Sequence, residues 1–214
     1  PDGVAPPCND DGTPAFGIRP IGIPSVWRRT GHRPLATAAT KRWSERLLRL
    51  GQVGAGLRAG PEIPPRILQM LLEFDTSACV DSEDCRNAFN ELCREAIADT
   101  LQKEDYELYC YFLAYYSVAC PQLFRLADGT LLALLKSCYG LVQGDPLAAI
   151  IYDIVYTLCV LKPVQEAYPG LLLVALHDDT YLAGHVAVLP EAVDLLTRLA
   201  AKVHLEYGDA KRKL

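Results

Sequence analysis

Residues 175–184 read ALHDDTYLAG, two adjacent aspartates between the apolar run LLLVAL (171–176) and a short mixed segment. The pattern predicts strand, tight turn, strand, with the acids at the tip. Aspartate is a poor strand residue, and neighbouring carboxylates repel each other unless solvent or a cation takes up the charge. A solvated turn would account for the pair alone, since aspartate is common in turns. The reading changes if another carboxylate shares the place. The apolar-then-acidic stretch SACVDSEDC (77–85) predicts a strand that carries Asp84 at its end. If that strand lies beside the hairpin, Asp84 joins Asp178 and Asp179, and the three oxygen-rich side chains suit two Mg2+ ions, with Mn2+ as a substitute, of the kind that serve in-line phosphoryl transfer.

Composition sets the frame for that site. The 214 residues are half apolar and about a fifth charged, enough for one sizeable core or a core with a smaller lobe. No apolar run reaches the length of a bilayer span, so the expectation is a soluble protein with no membrane partner. Eight cysteines without a CxxC pair, and no histidine cluster at zinc spacing, predict reduced thiols in an intracellular protein. Nuclear residence fits, but no signal in the sequence decides it. A first residue of proline and the lack of a leader predict a piece of a longer polypeptide with flanking domains.

The net charge of −5 hides an asymmetry. From Arg19 to Arg66 there are ten Lys and Arg against Glu45 and Glu62; from Ile67 onward there are eleven against twenty-one Asp and Glu. A basic segment followed by an acidic one fits a lobe that attracts a polyanion and a second that holds cations, although a solvated basic surface explains the charge equally well.

Along the chain, PDGVAPPCNDDGTPAFG (1–17) reads as a loop or tail. Leu35 to Leu50 has helical spacing with basic residues on its other faces, and Ile67 to Phe74 resumes the pattern after GQVGAGLRAGPEIPPR. Gly54, Gly56 and Ala59 match the dinucleotide fingerprint G-x-G-x-x-G/A, but Pro61, Pro64 and Pro65 would fall in the helix that the fingerprint must open, so they are read as turn residues. NAFNELCREAIADTL predicts a helix with Phe89, Leu92, Cys93, Ala96 and Ile97 on one face, and Tyr106 to Tyr116 a second; ADGT (127–130) is a turn before the strand-like LLALLKS. In GDPLAAIIYDIVYTLCVLKP, Asp145 suits an N-cap, Pro146 the first helical position, and Pro163 a stop. Glu191 to His204 reads as a last amphipathic helix.

The order and spacing of DCRNAFN (84–90), GLVQGDPLA (140–148) and LHDD (176–179) resembles the palm of a reverse transcriptase, most like those of non-LTR or related eukaryotic retroelements. GIRPIGIPSVWRR (17–29) and QVGAGLRAGPE (52–62) are similar to the fingers segments that precede it, so the resemblance runs through nearly the whole chain from Gly17. It implies an α+β fold, a right-hand polymerase palm with an antiparallel or mixed sheet backed by helices (76–214), a basic fingers lobe (18–75), and a thumb absent or outside the fragment. Asp84 and Asp178 match the principal metal ligands, Asp179 the third catalytic carboxylate, and the backbone carbonyl of Cys85 completes one coordination shell. Gln143, Gly144, Asp145 and Pro146 match the loop that packs on the incoming nucleotide and template, Arg19 a fingers residue that grips the triphosphate, and Phe89 the aromatic gate that crowds the ribose 2′ position, although helical periodicity reads Phe89 as core. The implied activity is RNA-directed DNA synthesis, with an RNA template, a nucleic-acid primer and dNTPs as partners. The family's usual aromatic before the aspartates is Leu176 here, its variable position is His177, and Lys211 and Lys213 fall near a family lysine without a clear alignment. The second reading is a reverse-transcriptase-like domain kept as a structural or RNA-binding part of a ribonucleoprotein; an RNA-making polymerase is disfavoured by Phe89.

Overall fold

The computed structural model describes residues 22–125 and 128–208. Its centre is a three-stranded antiparallel sheet, β1 (Ala78–Asp84), β5 (Asp179–His185) and β4 (Leu172–Leu176), in the spatial order β1-β5-β4. β4 and β5 are joined by a two-residue turn, because Leu176 pairs with Asp179. β1 lies against β5 from Ala78↔His185 to Asp84↔Asp179. The free edge of β4 is extended by the segment 51–53: Val53 N donates to Ala175 O at 2.8 Å and Ala175 N to Gly51 O at 2.8 Å. Gly51 has φ +86°, and a Cβ there would stand 2.5 Å from Leu173 O, so this approach needs glycine. A second antiparallel pair, β2 (Cys120–Arg125) and β3 (Leu131–Ser137), stands apart from that sheet.

Helices supply the rest of the core. They are α1 (Val26–Arg49), α2 (Ile63–Phe74), α3 (Ala88–Glu91), α4 (Arg94–Glu104), α5 (Tyr106–Tyr116), α6 (Ala148–Tyr156), α7 (Lys162–Ala167) and α8 (Leu189–Lys202). α6 is the central one: every residue from Ile150 to Thr157 is buried. Its Tyr156 hydroxyl joins Thr180 Oγ1 of β5 at 2.6 Å and the Tyr207 hydroxyl at 2.8 Å, which fixes the helix against the sheet. α1 buries His32, Ala39, Trp43 and Leu47, a stripe at helical spacing. It is held to α5 by Asp105, which caps that helix by accepting from Leu108 N at 3.1 Å and also accepts from Trp43 Nε1 at 2.7 Å and Arg42 Nη2 at 2.8 Å.

Several boundaries differ from the sequence reading. α1 begins at Val26, nine residues before Leu35, because Ser25 caps it and Pro34 is absorbed within the helix. α2 begins at Ile63 since Pro64 and Pro65 fall in its first turn, where their missing N–H groups have no helical partner to lose. The helix expected across 87–101 breaks at Leu92 and Cys93, both extended, where Cys93 N turns away to Val203 O at 3.0 Å. Pro163 does not end the central helix: a wider π-turn, Thr157–Leu161, links α6 to α7 and makes room for the ring. The continuous helix Ala148–Ala167 is therefore 20 residues long and apolar enough to cross a bilayer by length, against the expectation that no stretch would be. Two thirds of its most apolar window is buried in the core instead.

Cys79, Cys85, Cys93, Cys110, Cys138 and Cys159 are free thiols.

Candidate active site

The register of the sheet brings the sequence-predicted acids together. Asp84, the last residue of β1, stands directly across from Asp179, the first of β5. Opposed residues on antiparallel strands lie about 4.5 to 5.5 Å apart at Cα. Asp178 precedes Asp179 in the turn. Cys85 follows Asp84 and is buried; burial above all, with the charges of Asp178 and Asp84, pushes its thiol up to about 12. The donor set is hard carboxylate oxygen on facing backbone positions, the chemistry that Mg2+ requires. Among the described residues, no three Asp, Glu, His or Cys side chains converge into a metal cluster as they are oriented. The fit is thus one of donor type and backbone placement.

The turn beneath those acids is supported by residues the sequence reading did not assign. His177 has φ +56°. The Gln52 side chain grips its backbone from both sides: His177 N donates to Gln52 Oε1 at 2.9 Å, and Gln52 Nε2 donates to His177 O at 3.1 Å. The His177 ring lies with Nδ1 at 2.9 and 3.1 Å from the two carboxylate oxygens of Asp153 on α6. The hydrogen bond to Asp153 chiefly, with the charges of Asp153, Asp178 and Asp179, holds the imidazole above its ordinary range despite burial.

Asp145 of the QGDP segment anchors the α6 end of the site. Its carboxylate accepts from Arg28 Nη2 at 2.5 Å and from the Tyr116 hydroxyl at 2.8 Å, and meets His32 Nδ1 at 2.7 Å. It also accepts from Leu147 N at 3.1 Å, so it caps the turn before the helix, whose regular part starts at Ala148 rather than at Pro146. Burial pushes this carboxyl up, but the His32 hydrogen bond, the Arg28 charge and the Tyr116 hydroxyl outweigh it and hold it below the ordinary aspartate value. Burial first, then the Asp145 charge, keeps the Tyr116 hydroxyl protonated and able to donate. The guanidinium of Arg28 also lies 4.9 Å from the Tyr116 ring centroid.

The other assigned residues fall as follows. Gln143 is half-buried and its carbonyl accepts from Gly22 N at 2.8 Å; Gly144 is exposed with φ +110°. Phe89 is half-buried just past β1, its ring 4.9 Å from that of Tyr152 on α6. Arg19, Lys211 and Lys213 lie outside the described residues. Sequence reasoning missed Gln52, Asp153, Arg28, His32 and Tyr116. Asp153 alone left a signal: it is the single charged residue in a run from Leu147 to Leu161 that is otherwise apolar but for Thr157.

Sheets and helices together make a mixed α/β fold with small antiparallel sheets. Solved structures of telomerases share this fold. The telomerase of Candida albicans in complex with a TWJ fragment of telomeric RNA matches 87% of this chain and 34% of its own, with a TM-score of 0.62 and 12% identity. Apo telomerase of Candida tropicalis matches over 86% and 35%, with a TM-score of 0.61 and 16% identity. Its form truncated from the C-terminal domain gives 87% and 40%, with a TM-score of 0.59 and 19% identity. The chain thus spans between a third and two fifths of those proteins' length. No family model and no curated protein matches the sequence.

Proposed function

We propose that this chain is the fingers and palm core of an RNA-directed DNA polymerase, of the non-LTR or related retroelement kind that its motifs resemble. The observation that carries the reading is the register Asp84↔Asp179 beside Asp178 in a two-residue turn. Strand pairing has placed three acids at one end of one sheet, from sequence positions almost a hundred residues apart.

In this reading the backbone carbonyl of Cys85 and the carboxylates of Asp84 and Asp178 hold the metal ions, with Asp179 as the third acid. Two Mg2+ ions, or Mn2+ in their place, supply Lewis-acid stabilisation of the charge that develops when a primer 3′-hydroxyl attacks the α-phosphorus of a dNTP and pyrophosphate leaves. The residues of the chain do the positioning. Asp145 fixes the loop of Gln143 and Gly144 on which base pair and template rest, Phe89 crowds the 2′ position of the sugar, and Arg19 holds the triphosphate. The basic segment 18–75 attracts the RNA template and the primer. The fold likeness to telomerases supports this reading, and the partial coverage of those proteins fits further domains in the whole polypeptide.

The second reading, a reverse-transcriptase-like domain that binds RNA without polymerising, is favoured by one observation, the lack of a ready-made cluster of three ligating side chains among the described residues. Primer extension by wild type, Asp84→Asn and Asp178→Asn decides between them. The polymerase reading expects extension by wild type and none by either variant, at undiminished RNA binding; a wild type that binds RNA but does not extend supports the second.

A further inference from the structure

We propose that Gln52, Gly54 and Asp153 are positioning residues that act through His177 to hold the catalytic hairpin in one conformation, so that Asp178 and Asp179 are aimed before substrate arrives. The proposal rests on the polymerase reading and assigns work to residues which that reading leaves idle.

The argument begins with the turn. Its two residues are His177 and Asp178, and His177 adopts φ +56°, a conformation that side chains bearing a Cβ rarely take and glycine takes freely. A histidine held there needs support from outside the hairpin. Two segments provide it, residues 52–54 and α6. Gln52, fully buried at the edge of β4, satisfies both the N–H and the carbonyl of His177 with one side-chain amide, and its Oε1 accepts from Gly54 N at 3.0 Å as well. Asp153, with its side chain 1% exposed, spans the ring nitrogen with both carboxylate oxygens. Gly54 closes the other side: a Cβ there would stand 2.7 to 2.9 Å from Nδ1, Cε1 and Cγ of the ring. The first glycine of the misleading dinucleotide pattern therefore exists to let the backbone lie against His177.

Such a clamp has more consequence than an ordinary turn contact because of what comes next. Asp178 and Asp179 follow His177 directly, and a site that depends on facing carboxylates loses rate steeply with small displacements. Backbone grip by Gln52, a ring held by Asp153 and the close approach of Gly54 fix the residue through both its backbone and its ring.

The test uses steady-state primer extension on an RNA template with His177→Gly, Asp153→Leu, Asp153→Asn and Gly54→Ala, alongside melting temperatures. His177→Gly separates the two roles, since glycine relieves the backbone strain and removes the ring that Asp153 holds and Gly54 lies against, while the Gln52 bonds to the backbone can remain. The expected result is a protein that still melts cooperatively, the relief of strain set against the loss of the ring's bond to buried Asp153, with kcat reduced by about tenfold or more, KM for dNTP little changed, and a higher Mg2+ concentration for half-maximal rate. Asp153→Leu and Gly54→Ala are expected to show the same kinetic pattern, and Asp153→Asn, which still accepts a hydrogen bond from the ring, to recover most of the rate. Folded His177→Gly and Asp153→Leu proteins with kcat within about twofold of wild type overturn the proposal. If wild type itself does not extend, the polymerase reading fails, and hydrogen exchange judges the clamp by itself. Lost protection of the His177 amide in Asp153→Leu, with the rest of the sheet unaltered, then upholds it; unaltered protection there overturns it.

Discussion

Replacement of Asp145 by asparagine keeps the shape of the side chain and removes the charge on which Arg28, His32, Tyr116 and the Leu147 amide converge. The Asp145 side chain is wholly buried and that of Arg28 is only 17% exposed, so solvent screens the pair weakly. Removing one partner of a buried ion pair costs about 3 to 5 kcal/mol, because the other charge stays behind. Asparagine retains one acceptor oxygen, which serves two of the four donors at most and sets its NH2 against the rest. The lower end, about 3 kcal/mol, is the expected loss. For a chain of this size that lowers the melting temperature by roughly 6 to 12 °C. Thermal unfolding and urea denaturation followed by circular dichroism measure it, with the urea m-value unchanged if only stability is altered. The acid side offers a second readout. The folded carboxyl titrates below its unfolded value near 4, so its contribution is in place above that value and is lost as pH falls through the folded pKa. Wild type therefore loses part of its stability in that window, and Asp145→Asn lacks that part of the slope. A loss below about 1 kcal/mol, or an unaltered acid slope, refutes the claim that Asp145 anchors α1 and α5 to the start of α6.

Three further outcomes follow from other parts of the site. Asp178→Asn is expected to leave urea stability within about 0.5 kcal/mol of wild type or above it, since it removes a charge that repels the acids around it; a loss of several kcal/mol would make Asp178 a structural residue. Phe89→Val is expected to raise ribonucleotide incorporation relative to dNTP in single-nucleotide extension, whereas a stability lowered by about 1 to 3 kcal/mol with no change in that ratio assigns the ring, which packs on Tyr152, to the core alone. In native protein at neutral pH, iodoacetamide and mass spectrometry should find the exposed Cys110 and Cys138 alkylated and Cys85, buried and with its thiol pushed up to about 12, untouched until the chain is unfolded. Early labelling of Cys85 would contradict its placement.

The elements that carry the acids were legible because they depend on local pattern. The apolar-then-acidic stretch of β1, the apolar run of β4 and the acids at the hairpin needed no distant partner to be read, although the turn falls at His177 and Asp178 and Asp179 opens β5, and the pairing of β1 with β5 was the one step of topology. Asp145 was legible as a capping residue through its own sequence neighbourhood, while its grip on Arg28 and His32 was not, since those partners lie 117 and 113 positions away. Gln52 meets His177 across 125 positions and looked like a loop residue among glycines. Pro163 misled because the rule that proline ends a helix assumes regular α geometry, and the π-turn before it relaxes that geometry. The break at Leu92 and Cys93 was invisible for the opposite reason: the sequence holds helical spacing, and a hydrogen bond to Val203 from the far end of the chain wins locally.

The central claim is that Asp84, Asp178 and Asp179 form a polymerase centre, and single-nucleotide extension of a DNA primer annealed to RNA, with Mg2+ and one complementary dNTP, tests it most directly. The account predicts a primer longer by one nucleotide, dependence on the divalent ion and on the template base, and no product with Asp84→Asn or Asp178→Asn in proteins that melt like wild type. An unextended primer under those conditions, or equal extension by wild type and the Asp178→Asn variant, would contradict it.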